Sequence, residues 1–440
     1  MAGRYSAGAI EGPRSPERTD VRRSEGRLRL CLAAPTYHPY YSGAAERFRR
    51  YLPEFRARGI DVTVLSATPT DAKAAPASGS EAWASLPNGA ILPARLVDGV
   101  PVYRVRVPGE GGWARAAWFA HGLAGFCRKT GSPPEVVQLF HPSLAGTPSL
   151  WRIRRAGIPI VAARTMMPAP SRNPLKALRE RISMRLAFSP VDCGIASSGV
   201  MLDALREMGL SQRFEVIPHG VDTARFHPRD DGAASEPIRK SLGIPPTARI
   251  LLFVGSISQR KGIHWLLKAW RHLAARHPDL HLILAGPGWD REEAGDLVYL
   301  ARLRRLAEES GATDRLHFPG RIPDVEAVMR ASDVFVFPST LEGMPNVVAE
   351  AMASGLPVVT CPFEGLSADF GTPGVHFVLT EFDSDRLARD ITGLLEDSER
   401  RRQMAREARE WAESMLSWTH ILDRYAELYR DLASARQAGP

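Results

Sequence analysis

Asp333-Val334-Phe335-Val336-Phe337-Pro338-Ser339-Thr340-Leu341-Glu342-Gly343-Met344-Pro345-Asn346-Val347-Val348-Ala349-Glu350-Ala351-Met352-Ala353-Ser354-Gly355 passes from an apolar run through a polar loop into a helical pattern. Asp333 to Phe337 predicts a buried parallel strand, and Val347 to Ser354 a short helix closed by Gly355. Glu342 then lies in the strand-to-helix loop and Glu350 about one turn into the helix. A loop that ends at Gly343 and opens a helix leaves backbone N–H groups unpaired. With the helix dipole these form a site for phosphate, from which Pro345 withholds one donor. A carboxylate beside a phosphate is repelled unless it meets neutral hydroxyls, so Glu342 and Glu350 are placed to grip sugar and ribose hydroxyls. Two such residues also stabilise a helix start without any ligand. The spacing by itself leaves both readings open.

The chain is 440 residues long, 44% hydrophobic and 24% charged, which gives room for two domains with a core each. No run approaches the ~18 apolar residues of a membrane span. Leu28 to Ala34 is too short and too interrupted for a secretory core, and the Arg-, Pro- and Ser-rich residues 1–26 predict a disordered tail, so a cytoplasmic protein is expected. Cys31, Cys127, Cys193 and Cys361 are widely scattered and read as reduced core residues. Charge is divided unevenly: residues 27–215 hold 25 Lys and Arg against 13 Asp and Glu, and residues 216–440 hold 27 against 32. A basic first half beside an acidic second half points to an anionic partner at the first half. Nucleic acid is not expected there, because the cations are not interleaved with aromatics and no nucleic-acid motif accompanies them.

Strands alternate with helices throughout, the pattern of two parallel, doubly wound α/β sheets. In the first half strands are expected at Arg27 to Ala33, Asp61 to Ser66, Val102 to Val107, Val136 to Phe140 and Pro159 to Ala163. Helices are expected at Ala44 to Arg58, Arg115 to Thr130 and Gly146 to Ala156, and residues 69–90 form a surface excursion. After the Pro- and Gly-marked crossover Val216 to Asp222, strands follow at Arg249 to Val254, His281 to Ala285, Leu316 to Phe318, Val334 to Phe337 and Pro357 to Thr360. Ser398 to Ser434 is helical and charged. The expected domains are 27–215 and 216–410, with a final helix at 411–440, and ligands belong at the carboxyl ends of the strands in the cleft between them.

From Asp333 to Val359 the sequence closely resembles the E-x7-E segment of retaining glycosyltransferases of family 4, enzymes with the GT-B fold. The resemblance implies two Rossmann-like domains facing across a cleft, with the last helix crossing back onto the first domain. It implies further matches. Ile250 to Gly262 is a strand followed by a loop that delivers Arg260 and Lys261 to a helix start. Lys261-Gly262 fits the family's Lys-Gly after the glycine Gly255, whereas Ser256 stands where the family has Arg, which makes Arg260 the candidate replacement. His141, ending the strand Val136 to Phe140, takes the place of the family's sugar-contacting His. Gly43-Ala44 keeps the first glycine of the pair that lets the first helix approach the donor. Ile217 to Asp222 with Phe226 fits the crossover, with His219 where Asn is usual. Phe318 to Pro323, through Arg321 and Ile322, fits the loop that meets the nucleobase, and Gly365-Leu366 with Asp369 departs from the family's double glycine and Glu.

By this resemblance the chain transfers a sugar with retention from a UDP- or GDP-sugar to a hydroxyl acceptor, a glycan or lipid-linked molecule of polysaccharide or glycolipid synthesis. Glu350 holds ribose, the Gly343 to Val347 amides, including those of Met344 and Asn346, bind the diphosphate with Arg260 and Lys261, and Glu342 holds the transferred sugar. Cations and amides aimed at the leaving phosphate favour the transition state over the ground state. Asp383-Ser384-Asp385, which imitates a metal-holding DxD, precedes the helical pattern Arg386 to Leu395 and reads as a helix cap. No metal and no other cofactor is expected. Two other classes share this architecture or its binding site: a GT-B nucleotide-sugar epimerase and a non-catalytic nucleotide-sugar-binding protein.

After Pro174 the residues Leu175, Leu178, Ile182 and Leu186 recur at helical spacing with Lys176, Arg179, Arg181 and Arg185 between them. Such a helix either buries its apolar face in the domain core or lies on an anionic membrane at the inner face.

Overall fold

The computed structural model describes residues 26–37, 43–68, 86–109, 112–164, 173–228, 236–290, 295–367 and 370–437. The expected tail, most of the 69–90 excursion and Asp369 lie outside the described residues. The first sheet is built from β1 (Leu28–Ala33), β2 (Ile60–Ala67), β3 (Ile91–Val97), β4 (Val100–Val105), β5 (Val136–Phe140), β6 (Ile160–Ala163), β7 (Cys193–Ala196) and β8 (Arg213–Val216), in the order β3-β4-β2-β1-β5-β6-β7-β8. The second contains β9 (Arg249–Val254), β10 (Leu280–Ala285), β11 (Leu316–Gly320), β12 (Val334–Phe337), β13 (Val358–Thr360) and β14 (Val378–Leu379), ordered β11-β10-β9-β12-β13-β14.

All neighbours are parallel except β3 and β4. That hairpin turns at Asp98-Gly99, with φ of 51° and 76°, a two-residue loop of the kind that matches strand twist. The turn starts β4 two residues before the expected Val102. β12 and, after Arg249, β9 are continuous apolar runs, and β1 and β5 are interrupted only by Arg29 and Gln138, because helices cover both faces of each sheet. In each sheet the order reverses once, between β1 and β5 and between β9 and β12. These are the switch points where open parallel sheets bind ligands.

Ser398–Leu416 is one helix, and its Met404, Ala408, Ala412 and Leu416 are buried in the second domain's core. The chain crosses at Ser417, so position 411 falls inside that helix. Trp418–Gln437 then packs on the first sheet, with Ile421, Leu422, Tyr425, Leu428, Tyr429 and Leu432 buried among Phe48, Tyr51 and Phe55 of the helix Gly43–Ala57. The aromatic contacts are mostly edge-on, Phe48 to Tyr425 at 5.6 Å and Phe55 to Tyr425 at 6.2 Å. The four cysteines are free and buried.

The helix Pro174–Phe188 does not bury its Leu and Ile row in the core. Leu175, Leu178, Ile182 and Leu186 are 78%, 54%, 50% and 48% exposed, and the opposite face, with Ala187 and Phe188 buried, packs on the domain. Periodicity identifies a helical face, and here two apolar faces exist.

Tyr425→Ala is expected to lower stability by about 3–5 kcal/mol, the usual cost of deleting a buried aromatic. The shift of the denaturant midpoint measures it; a loss under about 1 kcal/mol would mean that the returning helix is not held by its aromatic face.

Candidate active site

Four segments at the two switch points hold most of the residues singled out in the sequence. The helix Gly43–Ala57 follows β1, His141 ends β5, the Gly255–Gly262 loop follows β9, and the Pro338–Pro345 loop follows β12. The last two loops are bonded together. Thr340 N donates to the Arg260 carbonyl at 2.9 Å, and Ser339 Oγ and Thr340 Oγ1 donate to the same oxygen at 3.2 and 3.1 Å. Arg260 Nη1 donates to the Leu341 carbonyl at 2.6 Å. Gly262 permits this approach: its φ is 69°, and a Cβ there would stand 1.9 Å from the Pro338 carbonyl oxygen.

Within this contact Glu342 Oε1 accepts from Lys261 Nζ at 2.7 Å, from Ser339 Oγ at 2.6 Å and from Arg260 Nη1. Glu342 and Lys261 side chains are only 12% and 11% exposed, while Arg260 is 42% exposed. Burial lowers the pKa of Lys261, the Glu342 carboxylate opposes that fall, and Arg260 adds to it. The ammonium also lies over the Phe337 ring, 4.7 Å from its centroid. A half-exposed guanidinium and a nearly buried ammonium thus converge on one carboxylate. All three bonds end on Oε1. Ser256 is exposed one step into the same loop.

The helix Asn346–Ala353 starts after Pro345 with no side-chain cap, so its first N–H groups face the loop. Met344 and Asn346 are held from the crossover: His219 N donates to Met344 Sδ at 3.0 Å, and His219 Nδ1 lies 2.8 Å from Asn346 Oδ1. Burial, then Arg47, keeps the pKa of His219 well below the ordinary value, so the imidazole is neutral. The residue stands where the resemblance has Asn, which the sequence shows, but its contacts with Met344 and Asn346 are not legible there. Glu350 is half-buried. Desolvation pushes its carboxyl up to about 7 against the pull of Arg50 and Arg225, with Glu326 adding to the rise. Arg225 itself pairs with Glu326 at 2.7 Å.

His141 adopts φ 49°, a left-handed conformation that non-glycine residues rarely take and that clusters at functional sites. Partial burial, then Arg164, lowers its pKa. His141 and Gly43 stand on the first domain and the Glu342 cluster on the second. Arg321 is exposed and Ile322 half-buried just past β11, whose Gly320 carbonyl accepts from Gly286 N at 2.8 Å. Sequence reasoning missed Trp289, which stacks on Phe318 with centroids 3.5 Å apart and 7° between planes; a lone Trp after Gly286-Pro287-Gly288 was the available signal. Asp383 caps the helix Ser384–Glu396 by accepting from Arg386 N at 2.7 Å, and Asp385 faces His272 at 3.4 Å.

Comparison with known proteins gives two family matches: residues 41–225 match Glycosyltransferase Family 4, and residues 234–411 match Glycosyl transferases group 1. The chain is 33% identical over 236 residues to D-inositol 3-phosphate glycosyltransferase of Corynebacterium urealyticum, covering 52% of this chain and 53% of that one. It is 28% identical over 242 residues to the lipopolysaccharide core biosynthesis glycosyltransferase LpsE of Rhizobium meliloti, covering 55% and 65%. These matches span about half to two thirds of the relatives' length. Among solved structures, Anabaena HepE in complex with UDP superposes with a TM-score of 0.70 at 19% identity, covering 92% of this chain and 100% of that one, a likeness of fold.

The raised pKa of Glu350 has a definite sign. A carboxyl whose folded pKa lies above its unfolded value of 4.5 contributes stability that is fully present below 4.5 and is lost as pH rises through about 7. Glu350→Gln should therefore gain on the parent by about 1–3 kcal/mol between pH 4.5 and 8. Denaturant titrations across that range test it; parallel stability curves for the two proteins would refute the shift.

Proposed function

The chain belongs to glycosyltransferase family 4, and on that premise we propose that it moves a sugar, with retention, from a UDP- or GDP-sugar to the hydroxyl of a glycan or lipid-linked acceptor in the cytoplasm. What supports this reading most is the meeting of Glu342, Lys261 and Arg260 beside an uncapped helix start. The uncapped amides with Lys261 and Arg260 take the diphosphate, Glu342 takes sugar hydroxyls, and Glu350 takes ribose. As the bond from the anomeric carbon to the phosphate oxygen breaks, the acceptor oxygen bonds to that carbon on the same face. The acceptor's proton passes to the leaving phosphate oxygen, where charge is developing and where the cations are aimed. His141 approaches the sugar from the opposite wall, and closure of the cleft excludes water. The positive first domain suits an acceptor carried on lipid phosphate at an anionic membrane.

Release of nucleoside diphosphate that depends on an added acceptor tests the transfer. Release without acceptor, accompanied by an altered free nucleotide sugar, would mark an epimerase, and binding with no turnover a non-catalytic protein. Glu342→Ala and Lys261→Ala should each lower turnover at saturating donor at least about tenfold, or roughly 1.4 kcal/mol at the transition state. Activity within about twofold of the parent would remove that residue from the site. Because two side-chain cations serve the diphosphate, EDTA should leave most activity in place. Complete loss that magnesium or manganese restores would overturn the metal-free reading.

A further inference from the structure

We propose that the outer face of the helix Pro174–Phe188 is a docking surface for an anionic lipid bilayer, on which the helix lies flat with Leu175, Leu178, Ile182 and Leu186 entering the boundary between headgroups and acyl chains. The inference deepens the acceptor side of the proposed function and rests on that reading for its purpose, which is to bring the cleft to an acceptor carried in the membrane.

The observations concern one face. At 3.6 residues per turn, positions 175, 178, 182 and 186 fall within roughly a quarter of the helix circumference. They form a continuous apolar ridge, and each is about half or more exposed. The helix has already met the needs of its domain on the other side, where Ala187 and Phe188 are buried and Met184 packs on the first domain's core. Asn173 caps its start by accepting from Leu175 N and Lys176 N at 3.0 and 3.2 Å. Arg179 and Lys176 flank the ridge on one side and Arg181 and Arg185 on the other, all four exposed; the helix's one acidic residue, Glu180, projects away from it. Leu144, 40% exposed, extends the apolar surface from the neighbouring turn Leu144–Gly146, which is joined to the helix through Thr147 Oγ1 and the Leu186 carbonyl at 3.5 Å.

An apolar ridge between two rows of cations matches the layering of an anionic bilayer, hydrocarbon beneath phosphate. A second copy of the same face fits poorly, since it would set the two cation rows against each other. Among the described residues no helix is long and apolar enough to cross a membrane, so the contact is peripheral.

The test is cosedimentation of the full chain, without acceptor, with vesicles of phosphatidylcholine alone and of phosphatidylcholine mixed with phosphatidylglycerol. Binding should be several-fold higher on the anionic vesicles and should fall as salt shortens the Debye length. Leu178→Glu with Ile182→Glu, and separately Arg179→Glu with Arg181→Glu and Arg185→Glu, should each reduce anionic binding at least about fivefold. Thermal unfolding and calorimetric binding of UDP or GDP should match the parent. Val298→Glu, at an 82% exposed apolar residue of the second domain, should change nothing. Should the double Glu variant fail to fold, Leu178→Gln with Ile182→Gln serves in its place. Equal binding to both vesicle types, or variants that bind like the parent, would overturn the proposal, as would a concentration-dependent dimer that the Leu178 and Ile182 changes dissolve. Loss of nucleotide binding with vesicle binding intact would instead defeat the transferase reading and leave the surface standing.

Discussion

Two crossings of the chain between domains hydrogen-bond to each other, and the arrangement of everything else follows from that pairing. Val221 N donates to the Leu416 carbonyl at 2.7 Å and Trp418 N to the Val221 carbonyl at 3.0 Å, a parallel bridge between Val221 and Ser417. The outgoing strand is tied to the first domain as well, since Gly220 N donates to Tyr51 OH at 3.0 Å and Tyr51 meets Trp418 edge-on at 5.5 Å. The final helix is thereby directed onto the first sheet. Its burial there, among Phe48 and Phe55, closes a core that the first domain's own chain leaves open on that face.

At the carboxyl edge of the second sheet the dominant constraint is electrostatic. Lys261 and Glu342 are both nearly buried, and a buried charge left without its partner is costly, so each fixes the other's place. The backbone bond from Thr340 N to the Arg260 carbonyl and the side-chain bond from Arg260 Nη1 to the Leu341 carbonyl hold the two loops, and with them the pair, together. Arg260, at 42% exposure, is the less enclosed of the two cations that meet this carboxylate. Ser256 stands directly after Gly255, and the guanidinium of Arg260, four residues later at the far end of the same loop, lies on the Glu342 carboxylate.

Much of this was legible because it depends on local spacing. The long buried strands, the Glu342 to Glu350 interval, the Lys261-Gly262 loop and the Asp383 cap are each written within a few consecutive residues. The Asp98-Gly99 hairpin is equally local, but β3, with Pro93, Ala94 and Arg95 exposed between its apolar residues, lies outside the expected strands. β7, Cys-Gly-Ile-Ala, and β8, with Arg213 and Glu215, lack the continuous apolar run that marks a strand as short as β12. What could not be read locally were the contacts between distant segments: Trp289 on Phe318, His219 on Asn346, the position of Ser417 as the turning point. The Pro174–Phe188 helix was legible as a helix, but the surroundings of its Leu and Ile row were not. Its apolar spacing is the same whether that face meets a core or solvent, and only the packing of the opposite face decides.

The crossing pair also bears on how the site would be completed. His141 and Gly43 belong to one domain and the Glu342 cluster to the other, so any motion that brings them together turns about residues 217–222 and 416–418, where the chain passes between domains. His219 sits two residues from the Val221 bridge and touches both Met344 and Asn346. The crossover is thereby tied through a short chain of contacts to the 338–345 loop and the start of the helix that follows it. The crossover, the 338–345 loop with Glu342, and the cations of residues 260 and 261 are thus joined through hydrogen bonds.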